Sequence, residues 1–162
     1  MSTLIPNENC WIAFSADLPS AASLAPTVAE LTAATELTDF IISLTAASQG
    51  NSVPTPRLKS MFETSIPGTS SAQFTCEMYR DELEADDVAW NLLPRNTAGV
   101  FYISRFGGSG PEKRPIAAEK VEVWPVRVTS RAASAMSSNT AQTFTLTCSN
   151  PTEPNEDAVV LA

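Results

Sequence analysis

Residues 73–80 read QFTCEMYR, and residues 141–149 read AQTFTLTCS. In both segments apolar and polar side chains alternate, so that every second residue can face a core. The apolar set is Phe74, Cys76 and Met78 in the first segment and Phe144, Leu146 and Cys148 in the second. A period of two is typical of a strand with one buried and one exposed face. The two segments therefore predict two strands of an antiparallel sheet.

Further strands are predicted on both sides of this pair. Short apolar runs indicate strands at 10–15, 38–46, 57–65, 100–106 and 159–161, and Pro67-Gly68 predicts a turn after the third of these. The longest run, EKVEVWPVRVTSR at 119–131, contains Pro125. Proline cannot donate to a sheet ladder, so Pro125 predicts an edge position or a bulge.

Helix is scarce. Asp86 and Asp87 precede VAWNLL and Pro94, which predicts one short helix whose start the aspartates cap. Thr27-x-x-Glu30 has the spacing of a capping box and favours another turn or two. The fold class expected is mainly β: an antiparallel two-sheet sandwich or barrel with one short flanking helix, an extended loop and terminal arms.

We expect one domain over residues 1–162, because a chain of this length rarely splits. Residues 1–37 are interpreted as an N-terminal arm with a short helix, 38–149 as the β core and 150–162 as a C-terminal arm. The loop at 47–56 contains two prolines one residue apart, which favours an extended shape. It is interpreted either as an exposed hairpin tip or as a contact arm that reaches a neighbouring subunit.

Charge and composition exclude several classes of protein. The chain has 10 basic and 18 acidic residues, a net charge of −8, which argues against a protein that grips phosphates. It has no histidine, which excludes Ser-His-Asp and Cys-His catalysis and every metal site that needs imidazole. The excess acid lies in residues 1–56 and 132–162, because residues 57–131 hold ten acidic and ten basic side chains.

No segment predicts a catalytic or cofactor site. The acidic residues from Asp81 to Asp87 lack the spacing of a calcium loop, and the glycine-rich segment 106–115 lacks the Ser or Thr that a phosphate loop needs after its lysine. Cys10, Cys76 and Cys148 are interpreted as free thiols, with a Cys76–Cys148 bridge as the alternative. No segment approaches the length of a membrane span. We therefore expect no enzyme, cofactor, metal or membrane anchor.

Four segments in a fixed order resemble a known family. They are PTVAELTAATELTDFIISL, VPTPRLKSMFETSIPGTSSAQFTCEMYRD, DVAWNLLPRNTAGVFYISR, and KVEVWPVRVTSRAASAMSSNTAQTFTLTCSNPTEPNEDAVV. Over residues 25–162 the chain resembles the major tail protein of long, non-contractile-tailed (siphovirus-type) bacteriophages of actinobacteria.

The resemblance implies a tail tube subunit of the virion, assembled in the host cytoplasm. It implies hexameric rings whose inner sheets join into a barrel, stacked around a tape-measure protein, ended by a tail terminator protein, and conducting double-stranded DNA. Loops and arms would make the ring-to-ring contacts, for which the candidates are residues 1–17 and Gln49, Gly50, Asn51, Val53, Pro54, Pro56 and Arg57. Because an acidic bore would repel phosphate, we expect part of the acidic excess to line the bore.

Two alternatives remain open at this point. One is another ring-forming virion protein, a head–tail joining or tail terminator protein, which would form isolated rings and not tubes. The other is a monomeric β-sandwich that binds a carbohydrate or a protein in an aromatic-lined groove.

Overall fold

An antiparallel sheet forms the body of the protein. The computed structural model describes residues 9–56, 62, 64–138 and 140–162. Within these residues the strands are β1 (Trp11–Ser15), β2 (Thr35–Glu36), β3 (Ile41–Thr55), β4 (Thr64–Tyr79), β5 (Ala98–Ser104), β6 (Lys120–Ala133), β7 (Thr143–Ser149) and β8 (Asn155–Val159). The helices are α1 (Val28–Ala33) and α2 (Val88–Leu92), with single 3₁₀ turns at Thr38–Phe40 and Pro111–Lys113. None of these helices is long and apolar enough to cross a membrane.

The strand order is β2-β1-β5-β6-β7-β4-β3, and β8 also pairs with β6. On one side β6 pairs with β5, and on the other it pairs first with β8 and then with β7. Pro125 lies between the end of the β8 ladder at Val123 and the start of the β7 ladder at Arg127. Its carbonyl accepts a hydrogen bond from Asn150 Nδ2 at 2.9 Å. Pro125 therefore lies opposite Val100 in an inner strand and not at the expected edge or bulge. Its missing N–H falls in the gap where β6 changes partners, so no ladder bond is lost.

The two halves of this sheet face each other across the main core, as a two-sheet sandwich requires. Phe74 on β4 stacks on Phe101 on β5 with ring centroids 4.6 Å apart, and Trp124 on β6 lies 6.2 Å from Phe74. All three are at most 1% exposed. Burying an aromatic side chain of this size contributes roughly 2–3 kcal/mol, so this contact is a large part of what holds the halves together.

A second, smaller core covers the opposite face of β1, β5 and β6. Tyr102, Val123 and Trp11 pack there with Leu31 of α1 and Val160. The helix begins with the expected capping box: Glu30 N donates to Thr27 Oγ1 at 3.2 Å, and Thr27 N donates to Glu30 Oε2 at 2.8 Å. The bond from the Thr27 amide lowers the pKa of Glu30. β5 and β6 are therefore buried on both faces, and α1 is a second flanking helix.

The terminal segments form part of the body, which corrects their interpretation as arms. β1 lies between β2 and β5, and Ile12 to Phe14 are buried. At the other end β8 pairs with β6, and Leu161 N donates to Pro26 O at 2.8 Å. The physical reason is that apolar residues of β1, β8 and Val160 cover β5 and β6. Without this cover, the apolar side chains of β5 and β6 would be exposed to water. Residues 1–8 lie outside the described residues.

The turn predicted at Pro67-Gly68 is also wrong. Both residues lie inside β4, where Pro67 is opposite Ser52. β7 pairs with β4 only from Phe74 to Tyr79, so β4 has a free side at Pro67 and proline removes no ladder bond there. The loop expected at 47–56 is likewise strand: β3 continues to Thr55. Of the strand expected at 57–65, residues 57–61 and 63 lie outside the described residues, and Thr64 and Ser65 begin β4.

Candidate assembly surface

The far end of the β3–β4 hairpin projects beyond the core. We call residues 49–55 and 64–71 the hairpin arm; apart from the half-buried Thr55, every residue in it is exposed. Burial begins on β4 only at Ala72 and Phe74, where the strand reaches the sandwich. A two-stranded ribbon exposed on both faces gains little stability from its own side chains. Both faces of this ribbon are therefore free for a contact with another molecule.

Local chemistry keeps the hairpin arm in shape. The pairing shifts register between Gly50 and Ser52, which makes a bulge. Opposite it, a Cβ on Gly68 would lie 3.0 Å from Asn51 O, so this close approach of the strands favours glycine. At the far end Thr55 and Thr64 each donate a side-chain hydroxyl to the other's carbonyl, at 2.9 and 3.0 Å. These contacts fix the pairing register of β3 and β4 in the part of the hairpin where no buried side chains can fix it.

The base of the hairpin is tied to the other half of the sheet. The Ser48 hydroxyl donates to the carboxylate of Glu156 on β8. Arg105 Nη2 donates to Ala46 O at 3.3 Å and to Glu122 Oε2 at 2.9 Å. The hydrogen bond to Glu122 raises the pKa of Arg105. The hairpin arm therefore leaves the body in a defined direction.

The hairpin carries no charge over most of its length. Residues 41–56 and 64–76 contain no Asp, Glu, Lys or Arg. Val53 and Ile66 are opposite each other and are 48% and 54% exposed. An uncharged surface with an apolar pair is suited to a protein partner, because burying it costs no charge desolvation.

Among the open strand edges of the described residues, two flank the half-sheet β6-β7-β4-β3 on opposite sides. β3 is the last strand of its half of the sheet, and no described strand pairs with its outer edge. On β6, pairing with β5 ends at Arg127 and Val128 N donates to Thr97 O, whereas residues 129–133 pair only with β7. Soluble proteins usually blunt such edges with lysine, proline or a cover. β3 has only Pro54, near its far end.

The outer face of the same half-sheet is lined with hydroxyl groups. We call it the hydroxyl face; it holds Thr45, Thr75, Thr143, Thr145, Thr147 and Ser149, which alternate with the core residues. Among the residues of β3, β4 and β7 on this face, Glu77 carries the only charge, and Thr143 Oγ1 donates to its carboxylate at 3.1 Å. On β6 the face adds Arg127, opposite Ser149. The face is therefore polar and nearly neutral.

The residues predicted as stacking contacts come together only in part. Gln49, Gly50, Asn51, Val53 and Pro54 lie in the hairpin arm, and Pro56 follows directly after β3. Arg57 lies outside the described residues. Of residues 1–17, Trp11 to Phe14 are buried and are not available for stacking. Sequence reasoning missed Ile66 and the open edge of β3, which the charge-free run 41–56 could have indicated.

The segments weighed as chemical sites have structural partners. Asp87 is 3% exposed and accepts from Arg80 Nε and Nη2 at 2.9 and 2.7 Å. Its side chain makes no cap bond, which corrects the capping expected of it. In the glycine-rich segment Ser109 donates its hydroxyl to Glu119 at 2.5 Å and lowers the pKa of that carboxyl. Among the described residues no group of three His, Cys, Asp or Glu could hold a metal ion.

Comparison with known proteins agrees with this fold. A family model described as "Phage tail tube protein" matches residues 6–162. Two solved structures have a similar fold at low identity. A chain of the "Virion of native gene transfer agent (GTA) particle" has a TM-score of 0.55 and 11% identity, over 93% of this chain and 96% of that one. A chain of the "Tail of empty GTA particle computed with helical refinement, C6 symmetry" has a TM-score of 0.54 and 10% identity, over 97% and 100%. No curated protein sequence matches the chain.

The family match spans nearly the whole chain, and the two solved structures named above are a virion and a tail of a particle, in which such a chain is part of a larger assembly. The open strand edges and the exposed, charge-free hairpin arm have the character of surfaces that other subunits cover. The chain belongs to the phage tail tube protein family, which is structural and not enzymatic, and is a component of the virion tail.

Proposed function

We propose that the chain is the major tail tube subunit, which forms stacked hexameric rings around the path of double-stranded DNA. The observation that carries the proposal is the pair of open edges, β3 and residues 129–133 of β6, on opposite sides of one half-sheet. The number six is supported by the C6 symmetry stated for the GTA tail and by the resemblance of the sequence.

Strand directions are compatible with ring closure. The half-sheet β6-β7-β4-β3 has four strands that alternate in direction, so its two edge strands are antiparallel to each other. When copies stand side by side in the same orientation, β3 of one meets β6 of the next as an antiparallel pair. Such a contact joins two different surfaces, and it closes into a ring when the rotation between copies divides a full turn.

The hydroxyl face is the surface proposed to line the bore. Hydroxyl groups keep water at the wall. Because the wall has no row of Lys or Arg to neutralise the DNA phosphates, no counterions are released, and the passing DNA does not bind. The excess counted in the sequence lies in residues 1–56 and 132–162, and the exposed Asp81, Glu82, Glu84 and Asp86, which follow the end of β4, would add further acid at one mouth of the bore. That acidic bore stays a prediction.

The partners proposed are a tape-measure protein inside the tube and a terminator protein at its end. A long non-contractile tail, an actinobacterial host and assembly in the host cytoplasm are also part of the proposal. Their support is the resemblance of the ordered sequence segments described above.

Negative-stain microscopy of the purified protein tests the proposal, with stacked tubes as the expected result. Isolated single rings at high concentration would favour a joining or terminator protein. Monomers at every concentration would favour a binding module and would contradict the proposal.

A single substitution tests the edge pairing. Ser134 N donates to Thr143 O on β7, so by alternation Ala133 N points to the open side of β6. Ala133→Pro should remove a donor from the ring contact and leave the β6–β7 ladder intact, giving folded subunits without rings. Ala133→Ser is the matched control and should form rings. Rings of normal yield from the proline variant would contradict β6 as a ring edge.

A further inference from the structure

A groove opens at the end of β3 that is opposite to the hairpin arm. It lies between the starts of β1 and β3 and the end of β5, and has a volume of about 560 Å³. Its floor is apolar, formed by Ile12, Ile41, Leu44 and Ile103. Phe106, which is 67% exposed, lies at its rim.

The groove offers little to a charged ligand. Asp39 and Arg105 are the charged side chains among its lining residues, and Arg105 is already bound to Glu122. The remaining lining is apolar or hydroxylated. An occupant that matches this chemistry is uncharged and brings apolar side chains.

The hairpin arm has that chemistry and cannot reach the groove of its own chain. Val53 and Ile66 form an exposed apolar pair on an uncharged ribbon. From Ile42 at the groove to Val53 is eleven residues along one strand, or about 36 Å at 3.3 Å per residue. The two complementary surfaces therefore lie at opposite ends of β3, pointing in opposite directions.

We propose that the hairpin arm of one copy docks in this groove of a second copy, displaced along the direction of β3. The inference rests on the proposed tube function and names the receiving surface of its ring-to-ring contact. A contact between two different surfaces at opposite ends of a subunit does not close on itself but repeats without limit. It thereby supplies the axial growth that edge pairing around the ring does not.

Cysteine cross-linking tests the contact directly. Cys10 lines the groove and is half-buried, whereas Cys76 and Cys148 are buried in the core. Val53→Cys in the full chain, assembled and treated with a short bismaleimide, should give a ladder of covalent multimers on a denaturing gel. Val53→Cys with Cys10→Ser is the matched control and should give no ladder.

Two results would overturn the proposal while leaving the tube function intact. One is a ladder of equal yield in the Cys10→Ser background, which would mean that hairpin tips meet each other. The other is intact tubes with no ladder in either background. Absence of tubes from the unmodified protein would instead contradict the tube function itself, so the two failures are distinguishable.

A second variant gives independent evidence by microscopy. Phe106→Asp places a charge at the groove rim and should give rings that do not stack. Leu18→Asp, at an apolar side chain that is 54% exposed and does not line the groove, is the control and should form normal tubes. Normal tubes from Phe106→Asp would overturn the groove as the receiving surface.

Discussion

At the scale of single residues, Asp87 lies at the start of α2 as expected, but its carboxylate forms an ion pair with Arg80 and no cap bond. The residues between β4 and α2 turn back on themselves, which brings Asp87 against Arg80 at the end of β4. Arg80 and Arg131 also lie 3.8 and 3.9 Å from the ring centroid of Trp90, and Arg131 Nη1 donates to Trp90 O at 2.7 Å. The stack fastens α2 to the rim of the sandwich.

Loss of the buried carboxylate should cost stability. Asp87→Ala leaves Arg80 without its partner, and we expect the free energy of unfolding to fall by about 2 kcal/mol. That is less than for a fully buried pair, because Arg80 is 29% exposed. Urea unfolding measures the change, and Asp86→Ala, at an exposed neighbouring carboxylate, is the control with an expected effect near zero. Equal losses from both variants would contradict the ion pair as the cause.

The three cysteines differ in their expected reactivity. They are free, so the bridge kept open as an alternative is absent from the structure. Burial raises the pKa of Cys148 to about 12 and that of Cys76 well above its usual range. Because the thiolate is the reactive form, the native unassembled chain should show one fast thiol, Cys10, toward a disulfide reagent at pH 8. Three fast thiols without denaturant would contradict the burial of the other two.

At the scale of elements, the hairpin arm is separable from the body. None of its residues belongs to either core, so removing it should cost little stability. Replacing residues 51–69 by Asn-Gly joins the paired Gly50 and Ser70 through a two-residue turn. We expect the melting temperature to change by only a few degrees and long tubes to disappear.

Thermal unfolding and microscopy of the same preparation measure both effects. A milder variant replaces the exposed Val53 and Ile66 by Thr and keeps the hairpin arm at full length. This variant should form shorter tubes. Tubes of normal length from the Asn-Gly variant would show that the hairpin arm takes no part in stacking.

At the scale of the whole molecule, the hydroxyl face should decide how the tube treats DNA. Thr145→Lys with Thr147→Lys adds two positive charges to an exposed part of that face, on β7, an inner strand that forms neither open edge. Tubes should still assemble and should bind double-stranded DNA at low salt, with binding lost as salt rises. Cosedimentation measures this, with Thr145→Gln and Thr147→Gln as the uncharged control. If the double lysine variant assembles into tubes that do not cosediment with DNA, this face does not line the bore.

The sequence by itself determined the alternating strands β4 and β7, the capping box of α1 and the absence of imidazole chemistry. Each of these depends on the order of neighbouring residues, through side-chain period, backbone hydrogen bonds or composition. The family resemblance also rests on sequence alone, and the match over residues 6–162 confirms it at the level of a phage tail tube protein.

Only the tertiary structure decided that β1 and β8 enter the body, that β3 and β4 form one long hairpin, and that Asp87 binds Arg80. These features join residues far apart in the chain, such as Ser48 with Glu156 and Val28 with Leu161. Local patterns carry no information on which distant segment will cover an apolar face. The open edges and the groove likewise exist only after every other strand has taken its partner, because an edge is defined by what remains unpaired.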